Sequence, residues 1–196
     1  MRQDLLVKDM VRTMKLPKVH SEKPVVVVFV GAPASGKTDF AQKIISSMPL
    51  AYFSNEQVED YLTPHVNFFG DDQITLQFSF AIIEELVKQK ISVVYDYSID
   101  KISDRKNLRR KVEALGGQVI ILYMECRDEE IFHRLQKANV QIVEGTKKGF
   151  ILNQDYYLFK KSKIQSPLSE DAFIVKCDDS LAEEKFVSLL QSKLAL

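Results

Sequence analysis

The chain has 196 residues, of which 45% are hydrophobic and 28% are charged, as is typical of a globular protein with one sizeable core. Basic and acidic residues both number 27, so the formal net charge is zero, which argues against a dedicated nucleic-acid-binding protein. No apolar stretch reaches the roughly 20 residues that span a bilayer, and the charged N-terminal stretch lacks the apolar core of a signal peptide, so we expect a cytoplasmic protein with one domain over residues 1–196.

Strands and helices are predicted to alternate along the chain. Hydrophobic residues at helical spacing indicate an amphipathic helix over residues 3–14. The apolar run VVVVFV at 25–30 is typical of a strand that is covered on both faces. Further strands are expected at 50–54, 91–96, 118–126 and 172–177, and further helices at 37–48, 55–62, 73–90, 103–117, 127–139 and 181–194. This alternation predicts an α/β fold with a mainly parallel sheet.

Residues 140–171 differ from the rest of the chain. They are polar and lysine-rich, and they show no clear period, so we expect an irregular inserted lid. Few apolar residues hold this segment down, and it is expected to be mobile without ligand and ordered with it. The positive charge in and before the lid comes from lysines, because no arginine follows Arg134. These lysines are Lys137, Lys147, Lys148, Lys160, Lys161 and Lys163.

The sequence GAPASGKT at 31–38 fits the phosphate-binding P-loop pattern GxxxxGK[ST]. Gly31 and Gly36 are expected to turn with positive φ and to let the backbone approach an anion. Backbone N–H groups and the following helix N-terminus would then bind phosphates. Lys37 is expected to reach the β- and γ-phosphates, and the Thr38 hydroxyl to bind Mg²⁺. The predicted nucleotide-binding residues are Gly31, Ala32, Pro33, Ala34, Ser35, Gly36, Lys37, Thr38 and Asp39.

Two carboxylates follow or end predicted strands. Asp96 ends the third strand, where ligands bind in open α/β sheets, so it is a candidate to hold a Mg²⁺-bound water or orient an acceptor. The alternative is an aspartate that only caps a turn. Glu56 follows the second strand and is a candidate to take a proton from an acceptor hydroxyl. Its alternative is an ordinary glutamate in the first turn of a helix. Asp71 and Asp72 are expected to cap the long helix.

Basic residues are expected in two roles. Arg134 is predicted to face the phosphates from the edge of the lid and to supply the positive charge that phosphoryl transfer needs. Arg105, Arg109 and Arg110 are expected to form a solvent-exposed face.

The two cysteines, Cys126 and Cys177, show no metal-binding spacing. We expect reduced thiols in a core, with a disulfide or a redox role as the alternative.

Four segments together resemble a known family. They are VVFVGAPASGKTDF, YFSNEQV, VVYDYSIDKISDRKNL and ILYMECRDEEIFHRL. Their order is similar to that of small P-loop kinases, in the group that contains polynucleotide 5′-kinase domains, zeta toxins and chloramphenicol phosphotransferase. The resemblance covers residues 25–177. It implies a three-layer P-loop NTPase fold, with a five-stranded sheet in the order 2-3-1-4-5, helices on both faces and a lid. It also implies ATP, Mg²⁺ and phosphoryl transfer to a hydroxyl.

The resemblance also implies roles for single residues. The family's P-loop lysine and hydroxyl match Lys37 and Thr38, its acidic residue on strand 3 matches Asp96, and its following arginine matches Arg105. The arginine before its lid matches Arg134.

The chain departs from the family at two places. The family's general-base aspartate falls on Asn55-Glu56, and its lid arginine is missing, with lysines nearby.

Two classes of function follow. The first is a kinase that transfers the γ-phosphoryl group of ATP to a small-molecule hydroxyl, with Lys37, Glu56, Asp96 and Arg134 as the catalytic residues and Thr38 and Asp96 as the metal ligands. The second is a nucleotide-binding regulatory module with slow ATP hydrolysis, which the two departures favour. A nucleic-acid 5′-kinase or a zeta-type toxin is a further alternative, although we expect no nucleic-acid or membrane partner.

Overall fold

The computed structural model describes residues 2–66, 70–146 and 151–194. The helices are α1 Arg2–Thr13, α2 Lys37–Ser47, α3 Asn55–His65, α4 Asp72–Lys88, α5 Ile102–Ala114, α6 Asp128–Val143, α7 Gln154–Lys163 and α8 Ala182–Leu194. The strands are β1 Val25–Val30, β2 Ala51–Ser54, β3 Val93–Ser98, β4 Gln118–Glu125 and β5 Phe173–Lys176. Every predicted strand and helix is present, with ends that differ by a few residues.

The five strands form one parallel sheet in the order β2-β3-β1-β4-β5. The central strand β1 is fully buried along its whole length, as its uninterrupted apolar sequence predicts. Because side chains alternate across a strand, Val26 and Val28 pack on one face of the sheet, whereas Val27 and Phe29 pack on the other. The sheet order and the parallel pairing confirm the predicted fold.

Helices cover both faces of this sheet. Side chains of α1, α3, α4 and α5 form the larger core on one face. Side chains of α2 and α8 form a second core on the opposite face. A smaller cluster joins α6 and α7 to Ala32 of the P-loop through Ile131, Leu135 and Tyr157. The result is the three-layer P-loop NTPase architecture, with α6 and α7 beside the phosphate-binding loop.

The start of the long helix α4 confirms one sequence expectation. Asp71 is its N-cap, and its carboxylate accepts hydrogen bonds from the backbone N–H groups of Gln73 and Ile74. Asp72 lies in the first turn, where a negative charge favours the helix dipole. Within the described ranges, no helix combines the length and the apolar character that a membrane crossing requires.

The expectation of an irregular lid at 140–171 is wrong in part. Helix α6 continues to Val143, and α7 occupies the middle of the segment. Tyr157 of α7 is fully buried, and its hydroxyl donates to Asp128 at 2.6 Å. Lys161 also pairs with Asp128. The sequence does not reveal this packing, because Tyr157 alone is buried among four consecutive apolar or aromatic residues of α7. Residues 147–150, with the predicted lid lysines Lys147 and Lys148, lie outside the described residues.

Candidate active site

Lys37 begins α2 and folds back over the P-loop. Its ammonium group donates to the carbonyl oxygens of Gly31 at 2.9 Å and Ala32 at 2.8 Å. Burial lowers the pKa of Lys37 to about 8, against the opposing effects of the nearby carboxylates Asp100 and Asp96. Burial of a cation is unfavourable without a strong partner. The ammonium group is therefore held at an energetic cost that an incoming polyanion would offset.

The two glycines of the P-loop meet different requirements. Gly36 has a φ of 95°, which confirms the expected left-handed turn at the N-cap of α2. The expectation of a positive φ at Gly31 is wrong, because Gly31 is not among the residues of the left-handed region. A Cβ at Gly31 would instead lie 2.9 Å from both Met124 Cβ and Ser35 Oγ, so lack of space excludes a side chain. Ala34 has a φ of 61°, an uncommon conformation for alanine.

Thr38 and Asp39 follow Lys37 in the first turn of α2, and both are exposed on the surface that faces the P-loop opening. The Thr38 hydroxyl is therefore free to meet a ligand from solvent. Ser35 is buried at the base of the loop, and among the described residues its hydroxyl has no hydrogen-bond partner. A buried, unpaired hydroxyl beside a loop of N–H groups is typical of a site that a polar ligand completes.

Asp96 lies inside β3 rather than at its end, because β3 runs two residues further than predicted and bulges where it pairs with β1. The side chain is 8% exposed and accepts a hydrogen bond from the Tyr52 hydroxyl at 2.9 Å. Burial and the charge of Asp96 raise the pKa of Tyr52, which keeps the phenol protonated as a donor. Asp96 is thus a positioned carboxylate beside Lys37.

Glu56 is exposed in the first turn of α3. Its neighbour Asn55 is the residue that turns toward the sheet, where it accepts from the Tyr95 hydroxyl at 3.0 Å and donates to Glu59 at 2.7 Å. Burial, with the charge of Asp72 as the next cause, raises the pKa of Glu59. Of the two positions on which the family's aspartate falls, Asn55 therefore carries an amide within a hydrogen-bonded set, and Glu56 carries an exposed carboxylate.

Arg134 of α6 reaches the P-loop, as the sequence predicts. Its guanidinium donates to Glu130 at 2.7 Å and contacts the carbonyl oxygen of Ser35 at 3.5 Å. A Cβ at Gly36 would lie 3.4 Å from the same guanidinium, so the two groups are close neighbours. Glu130 pairs with the Nε side of the Arg134 guanidinium, so other N–H donors of this group stay available to an anion.

Cys126 and Cys177 lie side by side, with their Cα atoms 5.2 Å apart, a separation that permits the disulfide that the sequence left as the alternative to reduced thiols. The physical reason is the strand register. Glu125 of β4 pairs with Lys176 of β5, so the residues that follow these two lie side by side. Both sulfur atoms contact the carbonyl oxygen of Ser35, at 3.8 and 3.6 Å. The sequence does not reveal this register, since β5 is short and separated by more than 40 residues from β4.

Arg105 is buried, so the expected solvent-exposed position is wrong. Its guanidinium donates to both carboxylate oxygens of Glu170, at 2.6 to 3.2 Å, and to the carbonyl oxygens of Ile99, Asp100 and Gln165. With its donors used in this way, Arg105 joins the segment after β3 to the segment before β5. Arg109 also donates to the Glu170 carbonyl oxygen, at 3.1 Å.

Sequence reasoning missed Ser98 and Asp100. The backbone N–H of Gly31 donates to the Ser98 hydroxyl at 3.1 Å, and that hydroxyl donates to the Asp100 carboxylate at 2.5 Å. This chain of hydrogen bonds links the segment after β3 to the first residue of the P-loop. The available signal was position, since both residues lie at the carboxyl edge of the sheet, where ligands bind in parallel α/β folds.

Two cavities open on either side of this group. The larger, of about 1220 Å³, lies between the start of α2, α6 and the segment 175–183, and it includes Arg134 and Lys137. The smaller, of about 510 Å³, lies between the start of α4, the segment after β3, and α7. Cavities of a few hundred Å³ and more are the usual size of small-molecule sites. The P-loop lines the larger cavity, and the smaller cavity is connected to the loop through the hydrogen bonds of Ser98 and Asp100.

Comparison of the sequence with protein families matches residues 26–142 to the family described as AAA domain. This match spans more than half of the chain and contains the P-loop, β3, β4 and most of α6. No curated protein matches the sequence significantly.

Several solved structures share the fold. A gluconokinase from Sinorhizobium meliloti is 15% identical, with a TM-score of 0.60 over 90% of this chain and 98% of that chain. The Mycobacterium tuberculosis APS kinase, solved with AMPPNP and APS, is 17% identical, with a TM-score of 0.63 over 86% of this chain and 98% of that chain. Chaetomium thermophilum Kti12, solved with ADP-AlF3, is 16% identical, with a TM-score of 0.66 over 87% of this chain and all of that chain. These likenesses show that the chain shares its fold with P-loop kinases, and the matched residues show that it belongs to the AAA domain family.

Proposed function

We propose that the protein is an ATP-dependent phosphotransferase, a kinase, which transfers the γ-phosphoryl group of ATP to a hydroxyl of a small molecule. The observation that carries this proposal is the meeting of Lys37, Asp96 and Arg134 around the P-loop, with a cavity on each side. A phosphotransferase needs two substrate sites that meet at the transferred group. In this proposal residues 1–196 form one cytoplasmic domain, and cell fractionation checks the location.

The P-loop fits the phosphates of ATP. The turn at Gly36, the unpaired Ser35 hydroxyl and the buried Lys37 ammonium are features that a bound polyanion would complete. In this proposal residues 31–39 hold the phosphates through backbone N–H groups, as other P-loops do. The larger cavity would then hold the nucleoside, with Lys137 on its wall.

Thr38 and Asp96 would hold Mg²⁺, with Asp96 acting through a bound water. Mg²⁺ in such sites takes one or two protein oxygens and completes its shell with water and phosphates. When bound, Mg²⁺ would neutralise charge on the phosphate oxygens. The Tyr52 hydroxyl fixes the orientation of the Asp96 carboxylate for this role.

Lys37 and Arg134 would stabilise the negative charge that develops on the transferred group. Lys37 reaches the group from the start of α2, and Arg134 from α6, so the two cations approach from different sides. Asp96 and the exposed Glu56 are the two proton acceptors that the sequence offers. Glu56 lies in the first turn of α3, whereas the negative charge of Asp96 favours the protonated form of Lys37.

A second function is favoured by Asn55. The amide at this position is hydrogen-bonded to Tyr95 and Glu59, so it offers no proton acceptor where the family has an aspartate. A regulatory module would bind ATP, hydrolyse it slowly and transfer nothing to a metabolite. The two functions differ in the fate of the γ-phosphate.

The test is a transfer screen with purified protein, [γ-³²P]ATP, Mg²⁺ and a panel of small hydroxyl compounds, with chromatography to separate labelled products from inorganic phosphate. The kinase proposal predicts a labelled compound whose formation depends on both Mg²⁺ and Lys37. Release of labelled inorganic phosphate alone, with every member of the panel, would favour the regulatory module.

A further inference from the structure

The smaller cavity has a mixed lining. Tyr97 and Phe159 provide aromatic surface, and the charged side chains are three aspartates and three lysines, namely Asp72, Asp100, Asp104, Lys101, Lys160 and Lys163. Lys160 and Asp72 lie 3.8 Å apart, so part of this charge is paired across the opening. With a volume of about 510 Å³, the cavity suits one sugar-sized molecule rather than a polymer.

Asp100 connects this cavity to the P-loop. Its carboxylate accepts from the Ser98 hydroxyl, which in turn accepts from the backbone N–H of Gly31. Its backbone carbonyl accepts from Arg105 at 2.8 Å and from the Gln165 N–H at 2.9 Å. Both ends of the residue are therefore fixed, and the carboxylate is held on a rigid segment between the phosphate-binding loop and the cavity wall.

The charges around Asp100 are consistent with a reactive carboxylate. Burial raises the pKa of Asp100, whereas the Ser98 hydrogen bond and the cations Lys37, Lys160 and Arg105 act in the opposite direction. The net upward direction makes the carboxylate a better proton acceptor near neutral pH. Asp100 is also the carboxylate with the largest effect on Lys37, ahead of Asp96.

We propose that the smaller cavity holds the phosphoryl acceptor and that Asp100 accepts the proton of its reacting hydroxyl. This inference rests on the proposed kinase function. The acceptor O–H bond breaks as its proton passes to the Asp100 carboxylate, and the acceptor oxygen forms a bond to the γ-phosphorus. The bond from the γ-phosphorus to the β,γ-bridging oxygen breaks, and ADP leaves. Asp100 later returns the proton to solvent.

The lining also indicates the class of acceptor. Carboxylates accept hydrogen bonds from hydroxyl groups, and aromatic rings such as Tyr97 pack against the C–H faces of a sugar or polyol. The lining carries three aspartates and three lysines, which are Asp72, Asp100, Asp104, Lys101, Lys160 and Lys163, so its formal charges balance. A lining without net charge suits an uncharged ligand better than a polyanion, and we therefore assign a neutral polyhydroxyl molecule as the acceptor.

The experiment compares the parent protein with Asp100→Asn and with the control Glu113→Gln. Glu113 is exposed near the end of α5, so the control makes the same carboxylate-to-amide exchange away from both cavities. Transfer from [γ-³²P]ATP is measured to water and to a panel of neutral sugars and polyols. Loss of a general base lowers the rate by about 100-fold or more. We therefore expect that decrease in Asp100→Asn and a parent-like rate in Glu113→Gln, with saturable ADP binding in both variants, as measured by calorimetry.

The inference would be overturned if Asp100→Asn and the parent transferred the phosphoryl group at equal rates. This includes the case in which neither protein transfers it faster than the background. A parent protein that does not bind ATP in the same calorimeter would instead overturn the proposed function itself. A second measurement needs no variant: a crystal structure of the parent with ADP, Mg²⁺ and aluminium fluoride. The attacking oxygen is expected about 2.6–3.2 Å from the Asp100 carboxylate. An attacking oxygen that lies at this distance from Asp96 or Glu56 instead would contradict the assignment of Asp100 as the proton acceptor.

Discussion

Arg105 and Glu170 form a buried ion pair, with Nη2 and Oε1 2.6 Å apart and side chains that are 0% and 8% exposed. The pair joins the segment after β3, which carries Asp100, to the segment between α7 and β5. Residues that are 65 positions apart in sequence thereby fix one wall of the smaller cavity.

Replacement of Arg105 by Met is expected to destabilise the protein strongly. The change leaves the Glu170 carboxylate buried without its partner, and breaking a buried pair in this way costs about 3–5 kcal/mol. Urea unfolding monitored by circular dichroism measures this loss. Arg110→Met is the matched control, because Arg110 is exposed on the same helix and surface changes alter stability by about 0.5 kcal/mol or less. Equal midpoints for the two variants would show that the pair contributes nothing.

Replacement of Lys37 by Met is expected to stabilise the ligand-free protein at pH 7. Burial lowers the pKa of Lys37 from 10.5 to about 8, so the folded state disfavours the charged form. Below pH 8 the lysine is protonated in both states and the unfavourable burial is fully present. Between pH 8 and 10.5 the folded state releases its proton first, and this disadvantage disappears as pH rises.

The free energy of unfolding, measured by urea at pH 7 and pH 10, checks this. At pH 7 we expect the free energy of unfolding of Lys37→Met to exceed that of the parent by on the order of 2 kcal/mol. At pH 10 we expect this difference to be smaller. Lys88→Met, an exposed lysine at the end of α4, serves as the control. A difference that stays constant with pH would contradict a lowered pKa at Lys37.

Much of this architecture follows from sequence pattern. The apolar run at 25–30 and the glycine-rich loop after it predict β1, the P-loop and the start of α2, because burial on both faces and backbone geometry leave few alternatives. Arg134 was also placed correctly beside the loop, since it lies on a helix that follows the neighbouring strand. Local spacing was enough for these features.

Other features depend on contacts between distant segments. Burial of Arg105 requires Glu170, and pairing of Cys126 with Cys177 requires the β4–β5 register. Tyr157 anchors α7 through Asp128 on another helix. The sequence pattern does not single out Asp100, because its link to the P-loop runs through Ser98 and Gly31, a residue 67 positions away from Ser98. Sequence periodicity carries no information on such pairings.

Replacement of Asp96 by Asn should keep nucleotide binding and weaken the Mg²⁺ dependence of turnover. An amide is a poor ligand for a hard cation or its bound water, whereas the hydrogen bond from Tyr52 can be retained. A Mg²⁺ titration of ATP turnover measures the change, with Tyr52→Phe as a control that removes only the hydrogen bond. Parent-like titration curves in Asp96→Asn would make Asp96 a structural residue.

Single-stranded DNA and RNA are expected to bind weakly. The basic residues of α5 are largely engaged within the protein, since Arg105 is buried, Arg109 donates to Glu170 and Lys111 pairs with Glu84. Fluorescence anisotropy with labelled oligonucleotides at low and moderate salt measures the affinity. A protein that neutralises several phosphates shows a log–log salt slope of about −0.7 per contact. Sub-micromolar binding with a steep slope would favour a nucleic-acid 5′-kinase instead of a small-molecule enzyme.

The central claim is that ATP binds at the P-loop with Lys37 on its phosphates. Calorimetric titration of AMPPNP with Mg²⁺ into the parent, Lys37→Ala and Lys88→Ala tests it most directly. We predict saturable binding by the parent and by Lys88→Ala. We predict at least about 100-fold weaker binding by folded Lys37→Ala, since a buried, hydrogen-bonded charge pair to phosphate contributes several kcal/mol. Unchanged affinity in folded Lys37→Ala, or no binding by the parent, would contradict the account.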